Sequence, residues 1–291
     1  MTEPVVVEAG IEGLSRVRVS GARADAELYL QGGHLTRWQP HGVAPVLFLS
    51  SRAVYAPGTA IRGGVPVIFP WFGLHATDRR APTHGFARVC PWRLVSSGLG
   101  PDGAVVLELA LDDDAATRRV WPPAFTLRYR VSVADTLHLA LEVVNASAAP
   151  FTFEAALHTY LAVGDVETVA ITGLQDTPYI DKVDAFARKR HGAGPLRLTG
   201  ETDRVFLGTR ARCVVEDRAL GRRLVLDKTG SATTVVWNPG PGRAREIADL
   251  EPDGWRRMLC VETANAADDA VTLPAGERHE MTATLGVERA A

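Results

Sequence analysis

Between Ala60 and Arg88 the chain reads AIRGGVPVIFPWFG, a short polar loop, then THGFAR. Arg62, Arg88 and His84 stand there among glycines and aromatics. Glycine admits positive φ and close backbone approach, arginine offers a planar fork to phosphate or carboxylate oxygens, and rings such as Trp71, Phe72 and Phe86 supply an apolar floor. The segment therefore reads as a pocket for a small, polar, anionic molecule. Two further segments carry proton-transfer groups. In Phe151–Leu161, FTFEAALHTYL, strand alternation puts Glu154, Ala156, His158 and Tyr160 on one face and Phe153, Ala155, Leu157, Thr159 and Leu161 on the other. In Met258–Asn265, MLCVETAN, it turns Leu259 and Val261 inward and leaves Cys260 and Glu262 opposite. Imidazole titrates near neutrality, and a half-desolvated carboxylate becomes a stronger base. Together they suit acid–base chemistry.

Plainer readings stand beside these. His158 also reads as a strand histidine bonded to its neighbours, and His84 as a turn residue before Gly85. On spacing alone Glu262 is a surface carboxylate at a strand end. Asp203, in ETDRVF, serves a hydroxyl or a histidine, or simply pairs with Arg204 or caps a turn. Arg62 and Arg88 are surface charges in the plain reading.

The elements that must position these groups are strands. In Phe125–Val133, FTLRYRVSV, every second residue is apolar, and Leu137, Leu139, Leu141 and Val143 repeat the pattern after a turn. That predicts an antiparallel hairpin with one buried face. Arg16–Val19, Ala26–Leu30, Val105–Leu111, Leu224–Leu226, Thr234–Trp237 and Met281–Val287 are further strands. Helical periodicity is confined to Asp114–Arg119 and a turn near Gly242–Leu250. With 27 glycines and 18 prolines as punctuation and no linker or repeat, the expected architecture is all-β, one large antiparallel β-sandwich domain over residues 1–291.

Composition excludes several classes. A net charge of −2 leaves no basic excess for nucleic acid. No signal peptide or membrane-spanning run is read. Cys90, Cys213 and Cys260 fit reduced thiols of a cytoplasmic protein. There is no nucleophile elbow, P-loop or dinucleotide fingerprint, and no histidine pair at ligand spacing, so neither cofactor nor catalytic metal is expected.

IRGGVPVIFPWFG, HGFAR, FEAALHTYL, the Gly173–Lys182 stretch, ETDRVF, VVWNPG and MLCVETAN occur in an order that resembles the glucose-6-phosphate 1-epimerases, the hexose-6-phosphate mutarotase branch of the aldose 1-epimerase superfamily. The resemblance covers roughly residues 30–266. It implies a galactose-mutarotase type sandwich and a cofactor-independent interconversion of sugar anomers. It implies that His158 acts as acid at the ring oxygen and Glu262 as base at the anomeric hydroxyl, charged and ionised respectively at neutral pH. It also implies that Asp203 binds hydroxyls or steadies His158, that His84 contacts the sugar near the reacting carbon, and that Arg62 and Arg88 hold a 6-phosphate, with Lys182 nearby. The chain departs from the family at Gly240, where a tryptophan is frequent, and at Thr83, where a glutamine is. A monomer acting on a hexose 6-phosphate is expected. An aldose 1-epimerase for free sugars, a sugar-phosphate-binding sandwich without turnover and a two-carboxylate glycosidase are the alternatives.

Overall fold

The alternation of Phe125–Val133 produces the strand it predicts. Phe125, Leu127, Tyr129, Val131 and Val133 are buried while Arg128 and Arg130 are exposed, and the strand pairs antiparallel with Leu137–Asn145. The computed structural model, which describes residues 3–290, builds this hairpin into an eight-stranded antiparallel sheet. Its order is Ala170–Thr172, Cys213–Asp217, Arg222–Thr229, Arg278–Arg289, Leu137–Asn145, Phe125–Val133, Val105–Asp112 and Arg93–Leu99.

A second eight-stranded sheet carries the chemistry. It runs Ala187–Arg190, Pro178–Asp181, Thr202–Phe206, Thr233–Asn238, Met258–Asn265, Ala155–Leu157 and Val67–Ile68, and Tyr160–Ala162 also pairs with Met258–Asn265. Val5–Ala9, Ser15–Ser20, Ala24–Tyr29 and His34–Pro40 form a four-stranded sheet beside them. Leu127 and Leu141 of the first large sheet share one core with Leu157, Val236 and Val261 of the second. Burial of each such side chain stabilises the fold by about 1.5–3 kcal/mol. The result is the antiparallel sandwich that the period-two pattern predicts.

The expected helix forms at Ala115–Val120. Asp114 caps it by accepting from the amides of Ala116 and Thr117, and Thr117 Oγ1 returns an acceptor to the Asp114 amide. The turn expected near Gly242–Leu250 begins as the short helix Gly240–Ala244. Among the described residues no helix is long and apolar enough to cross a membrane.

One expectation needs correction. Phe151–Leu161 is three short strands, Phe151–Phe153, Ala155–Leu157 and Tyr160–Ala162. Glu154 leaves the alternating face because its carboxylate accepts from the amides of Phe72 and Ala267. The chain breaks again at His158, whose amide donates to Pro66 O, while that of Tyr160 donates to Gly64 O. Residues 64–66 thus border this segment on one side, while on the other its register with Met258–Asn265 is the same before and after His158.

Candidate active site

Strand register explains which side chains meet. Asp203 lies opposite Trp237, Trp237 opposite Cys260, and Cys260 opposite Tyr160. Opposed residues share a face, so these four form a row across the outer face of the second sheet. The next row on that face is Ile180, Val205, Val235 and Glu262. His158, two residues before Tyr160, stacks on its ring at 4.8 Å and 9°. Opposite them stand the loops that contain Arg62 and His84.

Two glycines let those loops close in. A Cβ on Gly64 would lie 2.2 Å from Leu35 O, and one on Gly85 2.0 Å from Phe69 O; both have positive φ. His84 is itself left-handed at φ 64°. Its amide donates to Gly73 O and its Nδ1 accepts from the Gly73 amide at 3.1 Å. An accepting Nδ1 carries no proton, so a neutral His84 bears its hydrogen on Nε2 and can donate there.

The result is a cavity of about 370 Å³ that Arg62, His84, Arg88, His158, Asp203 and Glu262 line together with Phe72, Tyr160, Lys182 and Trp237. All six candidate residues therefore meet in one place. Glu262 is no surface carboxylate: it is 1% exposed, and the whole strand Met258–Asn265 is buried. His158 Nε2 lies 3.4 Å from Glu262 Oε1, while His158 Nδ1 and Glu262 Oε2 lack hydrogen-bond partners.

Burial decides where the proton of this pair sits. Desolvation pushes Glu262 well above the usual carboxylate range, aided by the charge of Asp203. Desolvation also pushes His158 well below its usual value, with Arg88 and Arg62 adding to the effect. Both directions favour the proton on Glu262 beside a neutral imidazole. The expected imidazolium–carboxylate form has the same proton count, and desolvation of both groups works against it.

Asp203 and the arginines also differ from expectation. Asp203 forms an ion pair with Lys182 at 3.0 Å, so it does not hold His158. Its neighbour Arg204 points to the other face and covers the Tyr179 ring, so the plain Asp203–Arg204 pair does not form either. Arg62 is no free surface charge: it is paired with Asp249 at 3.1 Å and donates to the Tyr160 hydroxyl at 3.1 Å. Tyr160 and Asp249 hold its guanidinium above its ordinary range. Arg88 donates to Thr83 O, and its buried Nε has no partner. Arg243, on the short helix Gly240–Ala244, reaches the cavity as well. Sequence reasoning passed over Arg243, Trp237 and Tyr160 as site residues, although VVWNPG and LHTY both signalled their segments.

The family model described as aldose 1-epimerase matches residues 16–286. The chain belongs to the aldose 1-epimerase family. It is accordingly an isomerase that works at the anomeric carbon of a sugar. An Escherichia coli (strain K12) protein with the provisional name glucose-6-phosphate 1-epimerase is 38% identical over 91% of this chain and 88% of its own length. The crystal structure of YeaD from Salmonella typhimurium, provisionally described as a mutarotase, has a TM-score of 0.92 at 33% identity and covers 99% of this chain and 95% of that one. A galactose mutarotase-like protein from Clostridium acetobutylicum, with a TM-score of 0.76 at 13% identity over 98% of both chains, shares the fold. The sandwich is therefore of the galactose-mutarotase type.

Proposed function

We propose that this protein interconverts the α and β anomers of a hexose 6-phosphate, glucose 6-phosphate first among them. The names of its relatives support the substrate, and the buried His158–Glu262 contact at 3.4 Å carries the mechanism. Ring opening needs one group to take the anomeric hydroxyl proton and another to protonate the ring oxygen. One shared proton between two bases meets both needs. Glu262 takes the hydroxyl proton in its carboxylate form while His158 donates to the ring oxygen. The aldehyde end then rotates, and the two exchange roles as the ring closes on its other face.

Substrate entry prepares that charge-separated form. Arg88 and Arg62 both depress His158. A phosphate dianion against the arginines offsets their charge and relieves His158, which favours the proton on the imidazole. His84, through Nε2–H, donates to a hydroxyl near the reacting carbon, and the Asp203–Lys182 pair offers an acceptor and a donor to hydroxyls further along the ring. Arg88, with its unpartnered buried Nε, is the principal phosphate ligand. Arg62 supports it from its place beside Asp249. The three free cysteines support a reducing, cytoplasmic setting, and the protein is read as a monomer.

The test is anomer exchange followed by NMR magnetisation transfer on glucose 6-phosphate, glucose and galactose, in wild type and Arg88→Ala. The wild type is expected to favour the phosphate. Arg88→Ala is expected to weaken its apparent affinity by about 10- to 100-fold, the loss of one charge-assisted contact, with little change for free sugars. Equal effects on all three sugars would remove the phosphate site and leave an aldose 1-epimerase. No exchange above the spontaneous rate would leave a binding protein.

A further inference from the structure

The mechanism leaves a buried nucleophilic group beside the acid–base pair unused. Cys260 is fully buried, two residues before Glu262 on the same face of its strand and opposite Tyr160 in register. Among the described residues, His158, Cys260 and Glu262 bring an imidazole nitrogen, a sulfur and a carboxylate oxygen within 4.8 Å of one another. We propose that these three side chains form a binding site for one thiophilic divalent cation of the zinc type, and that the bound cation inhibits the enzyme.

Chain spacing hides this group, because His158 is about a hundred residues from the other two; sheet register brings them together. The donor set selects the ion. Thiolate, imidazole and carboxylate suit Zn²⁺, Co²⁺ or Cd²⁺ and disfavour Mg²⁺ and Ca²⁺, which want oxygen alone. Charge also balances: one thiolate and one carboxylate neutralise a divalent ion, a low-cost combination at full burial. The thiol proton and the proton held by Glu262 both leave to solvent as the ion binds.

A second observation points to a ligand. Glu262 Oε2 is buried and unpartnered, and so is His158 Nδ1. Such orphaned polar atoms are costly without a partner, and a cation would use the lone pairs of both once the imidazole changes tautomer. Both residues line the cavity, which gives an ion its entry path and leaves the fourth position open to water. Tetrahedral zinc spaces its ligand atoms about 3.5 Å apart, so a closure of roughly 1 Å completes the site. The ion would occupy the lone pairs that the shared proton needs. The inhibitory part of the proposal rests on the acid–base reading above, and the binding part does not.

Co²⁺ is the probe. It is titrated into metal-free wild type and into Cys260→Ala, Cys213→Ala and Cys90→Ala, with the thiolate-to-cobalt absorption band as the readout. One equivalent is expected to give the band in wild type and in the Cys213 and Cys90 variants, and none in Cys260→Ala. Zn²⁺ is expected to slow wild-type anomer exchange at least tenfold, reversibly with chelator, and to leave Cys260→Ala near its metal-free rate. Cys260→Val serves if the alanine variant fails to fold. No band in wild type, or a band that survives removal of Cys260, overturns the site. A Cys260-dependent band with undiminished turnover overturns the inhibition and, with it, the roles given to His158 and Glu262.

Discussion

Glu262→Gln tests the site through two independent quantities. The substitution keeps volume and shape at a position 1% exposed, so the packing around Val235 and Cys260 is retained. On the proposed mechanism it removes the group that takes the anomeric proton. General acid–base contributions of this kind amount to about 10²- to 10⁴-fold, or roughly 2.7–5.4 kcal/mol of barrier. Anomer exchange of glucose 6-phosphate by NMR should fall by that factor. Stability should move the other way. Glu262 titrates well above 4.5 in the folded state because it is desolvated. Above pH 4.5 the unfolded chain releases this proton while the folded chain retains it, so the contribution of Glu262 to stability falls as pH rises until the folded value is passed. The slope is about 1.4 kcal/mol per pH unit. Glutamine does not titrate, and the variant's advantage in urea melts should grow between pH 5 and pH 7. A variant within threefold of the wild-type rate would refute the catalytic role. An advantage that stays flat across that range would refute the buried, proton-retaining carboxylate.

Other parts of the structure make separate commitments. Tyr160→Phe keeps the ring on His158 and loses the hydroxyl that Arg62 uses, so KM for the phosphorylated sugar should rise while kcat holds. Tyr160→Leu also loses the stack, worth about 0.5–1.5 kcal/mol, and kcat should drop up to tenfold; identical kinetics for the two variants would sink this division of roles. Arg222 is buried against Asp217 at 3.4 Å and donates to Ala44 O, Pro45 O and Ala162 O, each at 2.8 Å. Arg222→Ala strands the aspartate, and chemical denaturation should show a loss of about 3–5 kcal/mol; a loss under 1 kcal/mol would count against the pair. Gly85→Ala forces a Cβ against Phe69 O at positive φ, and the strain of about 1–3 kcal/mol should lower both Tm and turnover. Unchanged turnover would show that this loop does not shape the cavity.

The strands were legible because one face of each meets a core and the other meets water or a loop, which leaves period two in the sequence. Phe125–Val133 shows this plainly. The candidate residues were legible by type, since few patterns set arginines among glycines and aromatics as this chain does at Arg62 and Arg88. Their surroundings were not. Met258–Asn265 alternates as if one face were wet, yet all eight residues are buried, because the loops around Arg62 and His84 cover the outer face. Only a tertiary contact tells a covered carboxylate from an exposed one, and that difference sets where the proton sits. The interruption at His158 is local: the Thr159 amide donates back to Leu157 O instead of across the sheet.

The two rows on the outer face explain why the chemistry falls where it does. Asp203, Trp237, Cys260 and Tyr160 come from four strands, yet register alone places them side by side. Glu262 sits one row on, and His158 falls opposite it because the register with Met258–Asn265 is the same on either side of the interruption, Leu157 opposite Thr263 and Tyr160 opposite Cys260. The amides of His158 and Tyr160 point away from Met258–Asn265 and are met by the carbonyls of Pro66 and Gly64. A Cβ on Gly63 would strike Phe48 O and one on Gly64 Leu35 O, so these glycines let the loop lie against its neighbouring segments. The loop that carries Arg62 therefore also borders the segment that carries His158, and the proposed binding group and acid–base pair are built side by side.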